Sequence, residues 1–140
     1  MSCASGIYTV FTGSQAVVPG GFLPLGTTVR RYGRNLCQSG DGVLLDGCGY
    51  YLIDGIVTLT GTAAGPVTIV LTEDADTVQG GTSTVTTATG TTDTIYTVPV
   101  HAIVRKRYCD SPTTIQLKLS NAAGAVGATI NQVSLTAVKI

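Results

Sequence analysis

Short runs of β-branched and apolar residues, separated by Gly, Pro, Asn or Asp, follow one another along almost the whole chain. No segment repeats apolar residues at the helical spacing of i, i+3, i+4 and i+7 for more than one turn. Strand-like runs with turn residues between them are typical of an all-β sandwich or barrel. We count about eight to ten predicted strands, as in a two-sheet sandwich. With no internal repeat or linker, the sequence predicts one domain over residues 1–140.

The longest strand-like run is Gly49–Gly61, and both of its faces are largely apolar. One face carries Tyr51, Ile53, Gly55, Val57 and Leu59, and the other carries Tyr50, Leu52, Asp54, Ile56 and Thr58. A half-exposed strand alternates apolar and polar residues. We therefore expect one face to pack in the core and the other against something else. A one-residue slip would exchange the two faces.

The other predicted strands are shorter or less regular. They cover residues 7–11, 16–18, 27–32, 43–45, 66–72, 83–88, 94–107, 113–120 and 130–140. Gly13-Ser14 predicts a turn, residues 36–42 a loop, and residues 73–76 an acidic turn. Pro99 has no N–H for a sheet ladder, so it predicts a bulge or an edge strand.

The first 26 residues form an arm that is too apolar for a free tail. Its apolar residues include Ile7, Tyr8, Val10, Phe11, Val17, Val18, Phe22, Leu23 and Leu25. We expect the arm either to add strands to the domain's own sheets or to contact a neighbouring subunit by strand addition.

The chain carries little charge. Charged residues make up 11% of it, the formal net charge is zero, and 44% of the residues are apolar. A free-standing cytosolic domain carries about twice that charged fraction, so much of the surface is expected to be neutral or covered by partners. The neutral balance argues against nucleic acid. No apolar run approaches a membrane span, and the first residues do not resemble a signal peptide.

The four cysteines are Cys3, Cys37, Cys48 and Cys109. Their spacing contains no CxxC or CxxH pair, which argues against a zinc site. Buried free thiols are the simplest interpretation, and a disulfide remains open, with Cys37 and Cys48 as the nearest pair. Cys3, close to the first residue, is the candidate for an intermolecular disulfide.

The order of several segments resembles the C1q/TNF-like jelly roll. The segments are GYYLIDGIVTLTG, GPVTIVLTEDADTVQG, a Thr/Ser-rich stretch, DTIYTVPVHAIV, PTTIQLKL and VSLTAVKI, which together span about residues 40–140. The sequence departs from that family in three respects. The turn after Leu71 lacks the usual glycine, no collagen-like repeat precedes the domain, and the first 26 residues match no family feature.

The resemblance implies a two-sheet antiparallel jelly-roll sandwich that assembles as a homotrimer, with Gly49–Gly61 at the centre of the trimer-forming sheet. It places Tyr50, Leu52 and Ile56 at the subunit interface and Tyr51, Ile53, Val57 and Leu59 in the core. Members from bacteria and phages are similar to trimeric heads of spore-surface filaments, virion fibres or capsid decorations. The implied location is the surface of a virion or extracellular particle.

Candidate catalytic and metal-binding residues are few. His101 is the only histidine, and no G-x-S-x-G elbow or comparable frame accompanies it, so we interpret it as structural. Glu73, Asp74 and Asp76 lack the spacing of an EF-hand loop, and a solvated acidic hairpin is the preferred interpretation. No catalytic residue, metal site or cofactor is predicted.

Six of the eight basic residues form two clusters in sequence. They are Arg30, Arg31 and Arg34, and Arg105, Lys106 and Arg107. One interpretation is a docking patch for an acidic partner, such as a capsid or tail protein, because arginine pairs with carboxylate or phosphate through two parallel bonds. The other is solvated strand ends, or pairs between subunits with Asp41, Asp46 or Asp110.

The sequence thus predicts a non-enzymatic structural protein: a trimeric decoration, fibre-head or adhesin component of a phage virion or similar particle. Two alternatives stay open. One is a carbohydrate- or receptor-binding module that recognises a cell-surface glycan through the loops at residues 35–42 and 73–81. The other is a subunit of a spore-surface filament linked through Cys3.

Overall fold

The computed structural model describes residues 5–87, 94–107 and 111–140, and these residues form ten β-strands in two antiparallel sheets. The strands are β1 (Ser5–Val17), β2 (Thr27–Tyr32), β3 (Leu36–Ser39), β4 (Gly42–Leu45), β5 (Gly49–Gly61), β6 (Gly65–Glu73), β7 (Asp76–Thr87), β8 (Ile95–Lys106), β9 (Thr113–Leu119) and β10 (Ala128–Lys139). The first sheet has the order β2-β1-β10-β5-β8, and the second has the order β3-β4-β9-β6-β7. The predicted all-β, two-sheet antiparallel sandwich is therefore confirmed.

The core lies between the sheets and is built by the inward residues of each strand. In β5 the buried residues are Tyr51, Ile53, Val57 and Leu59, so the alternation has the predicted phase. In β9 they are Ile115, Leu117 and Leu119, also as predicted. Burial raises the pKa of the Tyr51 phenol, and nearby Asp46 adds to the effect. The Tyr51 hydroxyl donates to the Gly47 carbonyl at 2.6 Å, so this buried polar group is satisfied.

Side-chain hydrogen bonds join the two sheets along both of their sides. On one side, the Gln38 amide on β3 donates to the Gly26 carbonyl at 2.6 Å, and Arg31 Nε on β2 donates to the Leu36 carbonyl at 2.6 Å. On the other side, the Ser83 hydroxyl on β7 donates to the Pro99 carbonyl on β8. The four edge strands thus meet in two pairs, β2 with β3 and β7 with β8.

The predicted turn at Gly13-Ser14 is wrong, because these residues lie inside the single long strand β1. The pairing of β1 with β10 shifts register between Thr12 and Gln15, so the two residues form a bulge and the strand continues. A bulge uses the same small residues that a turn favours, which explains the wrong prediction.

The described part of the N-terminal arm lies against its own chain. Strand β1 pairs with both β10 and β2. Further along, the Leu23 N–H donates to the Leu117 carbonyl and the Leu119 N–H donates to the Gly21 carbonyl, at 2.8 and 2.9 Å. Leu23 and Leu25 are fully buried. Within residues 5–26, the arm adds backbone pairing and apolar side chains to both sheets.

The predicted loop at residues 36–42 is also wrong, since Leu36–Ser39 is strand β3. It pairs with β4 through a tight turn at Gly40 and Asp41, where Gly40 has φ of 58°. The signal that was missed is Leu36, which is fully buried under the edge of the second sheet. The turn lies inside the predicted loop.

The acidic turn between β6 and β7 is confirmed. Asp74 and Ala75 are the two central residues of a hairpin closed by the Glu73–Asp76 pair, and they have φ of 50° and 73°. Positive φ at both central positions is characteristic of a type I′ turn. The Asp74 carboxylate accepts a hydrogen bond from the Thr114 N–H at 2.9 Å, and the Asp74 N–H donates to the Thr114 carbonyl at 2.9 Å. These two bonds hold the turn against β9 without a glycine.

Pro99 lies on β8, which is an edge strand of the first sheet, as predicted. It is the cross-strand partner of Ile56 on β5. The sheet tolerates it because an edge strand leaves alternate N–H groups without a ladder partner.

The cysteines differ from the simplest expectation. Cys48 is disulfide-bonded, whereas Cys37 on β3 is a half-buried free thiol. A Cys37–Cys48 disulfide is therefore wrong, and so is the interpretation of Cys48 as a free thiol. Cys3 and Cys109, with the intermolecular role proposed for Cys3, lie outside the described residues, as do Asp110 and the predicted end of a strand at Ala88.

Candidate interaction face

The outer face of the first sheet is the side directed away from the core, and it exposes large apolar residues. Cross-strand pairing arranges its side chains in rows that cross the sheet, because paired residues project from the same face. Tyr50, Leu52 and Ile56 all lie on this face, with 48%, 37% and 50% of their surface exposed. The single chain therefore leaves these three residues uncovered.

Two of the rows are mainly apolar. The first runs from β8 to β2 through Ile103, Leu52, Val138, Gly6 and Tyr32. The second runs through Pro99, Ile56, Ser134, Val10 and Thr27. Tyr32 lies directly over Gly6, where a Cβ atom would come within 2.5 Å of the ring. The glycine thus lets an aromatic ring lie flat on the face.

A polar row separates the two apolar rows. It runs through His101, Asp54, Thr136, Tyr8 and Arg30. Asp54 is exposed to water in the single chain and is the only acidic residue in the five strands of this sheet. Any partner that covers the face must therefore supply a hydrogen-bonding or oppositely charged group to the Asp54 carboxylate.

A shallow depression lies beside Asp54, between the polar row and one apolar row. It has a volume of about 260 Å³ and is lined by Asp54, Gly55, Ile56, Pro99, Ser134 and Thr136. Ser134 and Thr136 have short side chains between the larger Ile56 and Tyr8, which leaves room for a side chain from outside.

The outer face of the second sheet has a different character. Its outward residues include Thr68, Thr82, Thr84, Thr86, Thr114, Gln116 and Lys118. Two of the hydroxyls, those of Thr68 and Thr84, are hydrogen-bonded across the strands at 2.9 Å. This outer face is polar and suited to contact with solvent, whereas the outer face of the first sheet is largely apolar.

The structure does not bring the six basic residues together in one patch, and a docking role for either cluster stays a prediction. Arg30 and Arg31 lie on β2 and Arg34 follows it, whereas Arg105 and Lys106 lie on β8 and Arg107 follows it. These strands are the opposite edges of the first sheet, about 19 Å apart at the usual strand spacing. Adjacent strand residues also face opposite ways, so each cluster is divided between two faces.

The members of each cluster have different surroundings. Arg31 donates to the Leu36 carbonyl, and Lys106 is buried with its ammonium group donating to the Ser111 carbonyl. Arg105 lies on the outer face with its guanidinium 5.7 Å from the centre of the Tyr50 ring, within range of a cation–π contact. Arg30 is exposed, with a 3.3 Å bond to the Val29 carbonyl.

A cleft of about 330 Å³ lies at one end of the sandwich and carries both signs of charge. It is lined by Glu73, Asp74, Arg105, Lys106, Arg107 and Thr113. Partial burial raises the pKa of Glu73, neighbouring Asp74 and Asp76 raise it further, and Lys106 opposes them. Among residues 5–87, 94–107 and 111–140, no three His, Cys, Asp or Glu side chains are grouped to hold a metal ion. Nor does the described chain contain a helix long and apolar enough to cross a membrane.

His101 lies in the middle of the outer face as the cross-strand partner of Asp54. It is exposed, and the residues beside it on its own strand are Pro99 and Ile103 on the same face. The sequence placed it in a structural role, and its position gives it contact with whatever covers this face.

The sequence missed several residues of this face. Ile103 and Tyr32, 60% and 54% exposed, extend the apolar surface from Leu52 to both edges of the sheet. The alternation of Val98, Val100, Ala102 and Val104 already places Ile103 outward. Tyr32 carries no such signal, because its position over Gly6 depends on the pairing of β1 with β2.

Comparison with known proteins supports the fold. No protein-family model and no curated protein sequence matches the chain. Among solved structures, murine APRIL at pH 5.0 is 16% identical, with a TM-score of 0.71 over 98% of this chain and 99% of that one. The globular domain of zebrafish complement 1qA is 4% identical, with a TM-score of 0.66 over 96% and 95%.

A third structure, the vertex protein P5 of phage PRD1, is 13% identical, with a TM-score of 0.62 over 100% of this chain and 99% of that one. At such low identities these similarities establish the architecture alone. Together with the ten strands and their order, they show that the chain has the two-sheet antiparallel jelly-roll fold of the C1q/TNF-like kind.

Proposed function

We propose that this protein is a non-enzymatic structural module that assembles as a homotrimer through the outer face of its first sheet. The observation that carries the proposal is the contrast between the two outer faces. One exposes rows of Ile, Leu, Val and Tyr, and the other exposes Thr, Gln and Lys. An exposed apolar surface of this kind marks an interaction site, and permanent subunit interfaces are apolar like a domain core.

The assembled trimer is proposed to sit on the outside of a phage virion or similar extracellular particle, as a decoration, fibre head or adhesin. Two observations support this setting. The solved structures with this fold include a phage vertex protein. In addition, the disulfide at Cys48 fits an oxidising environment, since cytosolic proteins rarely keep disulfides. In this arrangement the threonine-rich face of the second sheet is directed outward.

The trimer is tested by replacing Leu52 with Asp. The wild-type chain is expected to have three times the monomer mass by light scattering after gel filtration. In Leu52→Asp a carboxylate without a partner is buried at each interface, and association is expected to weaken by at least about 100-fold. Leu52 is 37% exposed, so the monomer should remain folded by circular dichroism.

The matched control is Val18→Asp, which places the same carboxylate at an apolar residue that is 70% exposed outside strands β1–β10. It should leave the trimer intact. A wild-type chain that is monomeric at micromolar concentration contradicts the proposal. A trimer that survives Leu52→Asp unchanged shows that assembly uses a different surface.

The particle setting has its own test, which is quantitative mass spectrometry of purified virions. A structural component is expected at a fixed stoichiometry relative to the capsid protein. Its absence from particles, in a lysate where the chain is abundant, would reject this part of the proposal.

A binding module is the second candidate function, and the cleft at the end of the sandwich favours it. This cleft borders the 73–81 segment that the sequence singled out, and it presents carboxylates on one wall and basic groups on the other. Such polar lining suits a charged glycan. Binding to a glycan array that is lost in Arg107→Ala supports this function, and an array without a specific signal opposes it.

A further inference from the structure

Lys106 places a buried cation in the cleft at the end of the sandwich. It is the last residue of β8 and continues the inward-facing series of that strand. Only 5% of its surface is exposed, and its ammonium group donates to the neutral Ser111 carbonyl. An ammonium group has three N–H donors, and a buried charge is costly unless an opposite charge accompanies it. Lys106 is therefore suited to hold an anion that enters the cleft.

The two sheets contribute groups of opposite charge to the cleft. The first sheet supplies a basic wall, residues 105–107, at the end of β8. The second sheet supplies an acidic wall, with Glu73 at the end of β6 and Asp74 in the turn that follows. One oxygen of the Asp74 carboxylate accepts the Thr114 N–H at 2.9 Å, and the other remains an acceptor. A ligand that fits both walls carries an anionic group on one side and hydrogen-bond donors on the other.

The size and polarity of the cleft narrow the class of ligand. Its volume of about 330 Å³ is at the lower end of small-molecule sites, which suits a single sugar ring. Thr113 completes a lining in which every residue is polar or charged, so an apolar peptide side chain would gain little there. A sugar acid carries a carboxylate and several hydroxyls on one ring. The carboxylate matches the basic wall, and the hydroxyls can donate to the acidic wall.

From these observations we infer that the cleft binds a carboxylated sugar, whose carboxylate is held by Lys106 and Arg107 and whose hydroxyls donate to the acidic wall. Arg107 is exposed at the mouth of the cleft, and a guanidinium binds a carboxylate through two parallel hydrogen bonds. The inference rests on the binding module given above as the second candidate function, and it specifies the class and orientation of the ligand. It requires no particular oligomeric state.

Glu73 faces charged groups from two of the elements around it. The β6–β7 turn brings Asp74 and Asp76, and the end of β8 brings residues 105–107. Strand β9 places the apolar Ile115 opposite Glu73. Burial raises the pKa of Glu73, the two aspartates raise it further, and the lysine of the basic wall opposes them.

This environment of Glu73 makes the binding depend on pH. Because its pKa is raised, Glu73 is neutral in a larger fraction of molecules than an ordinary glutamate at the same pH. A bound sugar carboxylate brings a second negative charge into the cleft and therefore favours the neutral form. Binding takes up a proton, so it strengthens as the pH falls through the pKa of Glu73.

The test is an NMR titration with glucuronate, with glucose as the neutral analogue of the same ring. The wild type is expected to bind glucuronate and not glucose, and to bind it at least about threefold more tightly at about pH 5 than at about pH 7.5. His101, the only histidine, cannot produce this dependence, because it lies about 16 Å along β8 from Lys106 and on the other face.

Two substitutions have opposite expected effects. Lys106→Met is expected to weaken glucuronate binding by at least about tenfold, because it removes the buried cation and keeps the length of the side chain. Glu73→Gln is expected to strengthen binding about threefold at about pH 7.5 and to abolish the pH dependence. Misfolding cannot produce such a gain. Arg107→Ala, at an exposed residue, repeats the loss without disturbing the core.

Lys118→Met is the matched control, since it makes the same substitution on the outer face of the second sheet and should leave glucuronate binding unchanged. Equal binding of glucuronate and glucose overturns the inference, and so does a pH dependence that persists in Glu73→Gln. Inorganic phosphate that binds as tightly as glucuronate shows a general anion site and also overturns it. A glycan-array signal that survives Lys106→Met rejects the inference and retains the binding module, whereas an array without a specific signal rejects both.

Discussion

Thr9 places a hydroxyl group in the core for which the described residues offer no hydrogen-bond partner. The residue is fully buried on β1, and its Oγ1 atom is unpaired. Valine has nearly the same shape without the hydroxyl. Because an unpaired buried hydroxyl costs about 1–3 kcal/mol, Thr9→Val is expected to raise the free energy of unfolding by about 1 kcal/mol. Urea denaturation measures the change.

Thr72 provides the comparison for Thr9. It is equally buried, but its hydroxyl donates to the Gln116 carbonyl at 3.2 Å. Thr72→Val should therefore lower the free energy of unfolding by about 1 kcal/mol. The prediction for Thr9 is wrong if both substitutions destabilise the protein to the same extent.

Among the elements, the β6–β7 hairpin turns through two residues with positive φ, neither of them glycine. Ala75 has φ of 73°, a region that costs a residue with a Cβ atom about 1–2 kcal/mol. Ala75→Gly is expected to raise the free energy of unfolding by about 1 kcal/mol, after the greater entropy of glycine in the unfolded chain is subtracted. Thermal unfolding should show a matching increase in Tm.

The opposite substitution in the same hairpin is the control. Gly80 has φ of 81° and open space around the position of a Cβ atom, so Gly80→Ala introduces backbone strain without a steric clash. It should destabilise the protein by about 1 kcal/mol. A neutral result for both changes would show that the hairpin relaxes and that the positive φ values carry no strain.

Some strands could be predicted from the residues within and beside them, and others could not. Strands β2 and β5 have the predicted bounds, because alternation and flanking turn residues are local properties of the sequence. The bulge at Gly13-Ser14 and the short strand β3 depend on partners distant in sequence. The small residues Gly13 and Ser14 fit a turn and a bulge equally well. Only the pairing of β1 with β10 decides between the two.

At the scale of the whole molecule, the disulfide at Cys48 restrains the unfolded chain. Cys48→Ser is expected to lower the free energy of unfolding by about 2–4 kcal/mol, largely because the open chain has more conformational freedom. Reductant should have the same effect on the wild-type chain. Denaturant titration with and without dithiothreitol measures both.

Cys37→Ser is the matched control, since Cys37 is a free thiol at the edge of the second sheet. It should change stability by about 0.5 kcal/mol or less. Equal effects of the two substitutions, or no response of the wild type to reductant, would contradict the stabilising role of the disulfide.

The candidate interaction face could be predicted in its centre but not in its extent. Alternation within Gly49–Gly61 identified the face that carries Tyr50, Leu52 and Ile56, and the family resemblance then proposed these three residues for an interface. The separation of the two basic clusters, and the row that joins Asp54 to Arg30, follow from the strand order β2-β1-β10-β5-β8. Sheet order is set by contacts between distant parts of the chain, so no local pattern reveals it.

The pairing of edge strands across the two sheets bears on the tendency of this protein to aggregate. With a formal net charge of zero, its copies have little electrostatic repulsion to keep them apart. A free, neutral strand edge in such a protein would invite uncontrolled edge-to-edge growth into aggregates. Here β7 lies against β8 and β2 against β3, with Ser83, Gln38 and Arg31 using their hydrogen bonds between the sheets. Closure of the sandwich at its sides is therefore expected to limit fibril formation, together with the basic residues on β2 and β8.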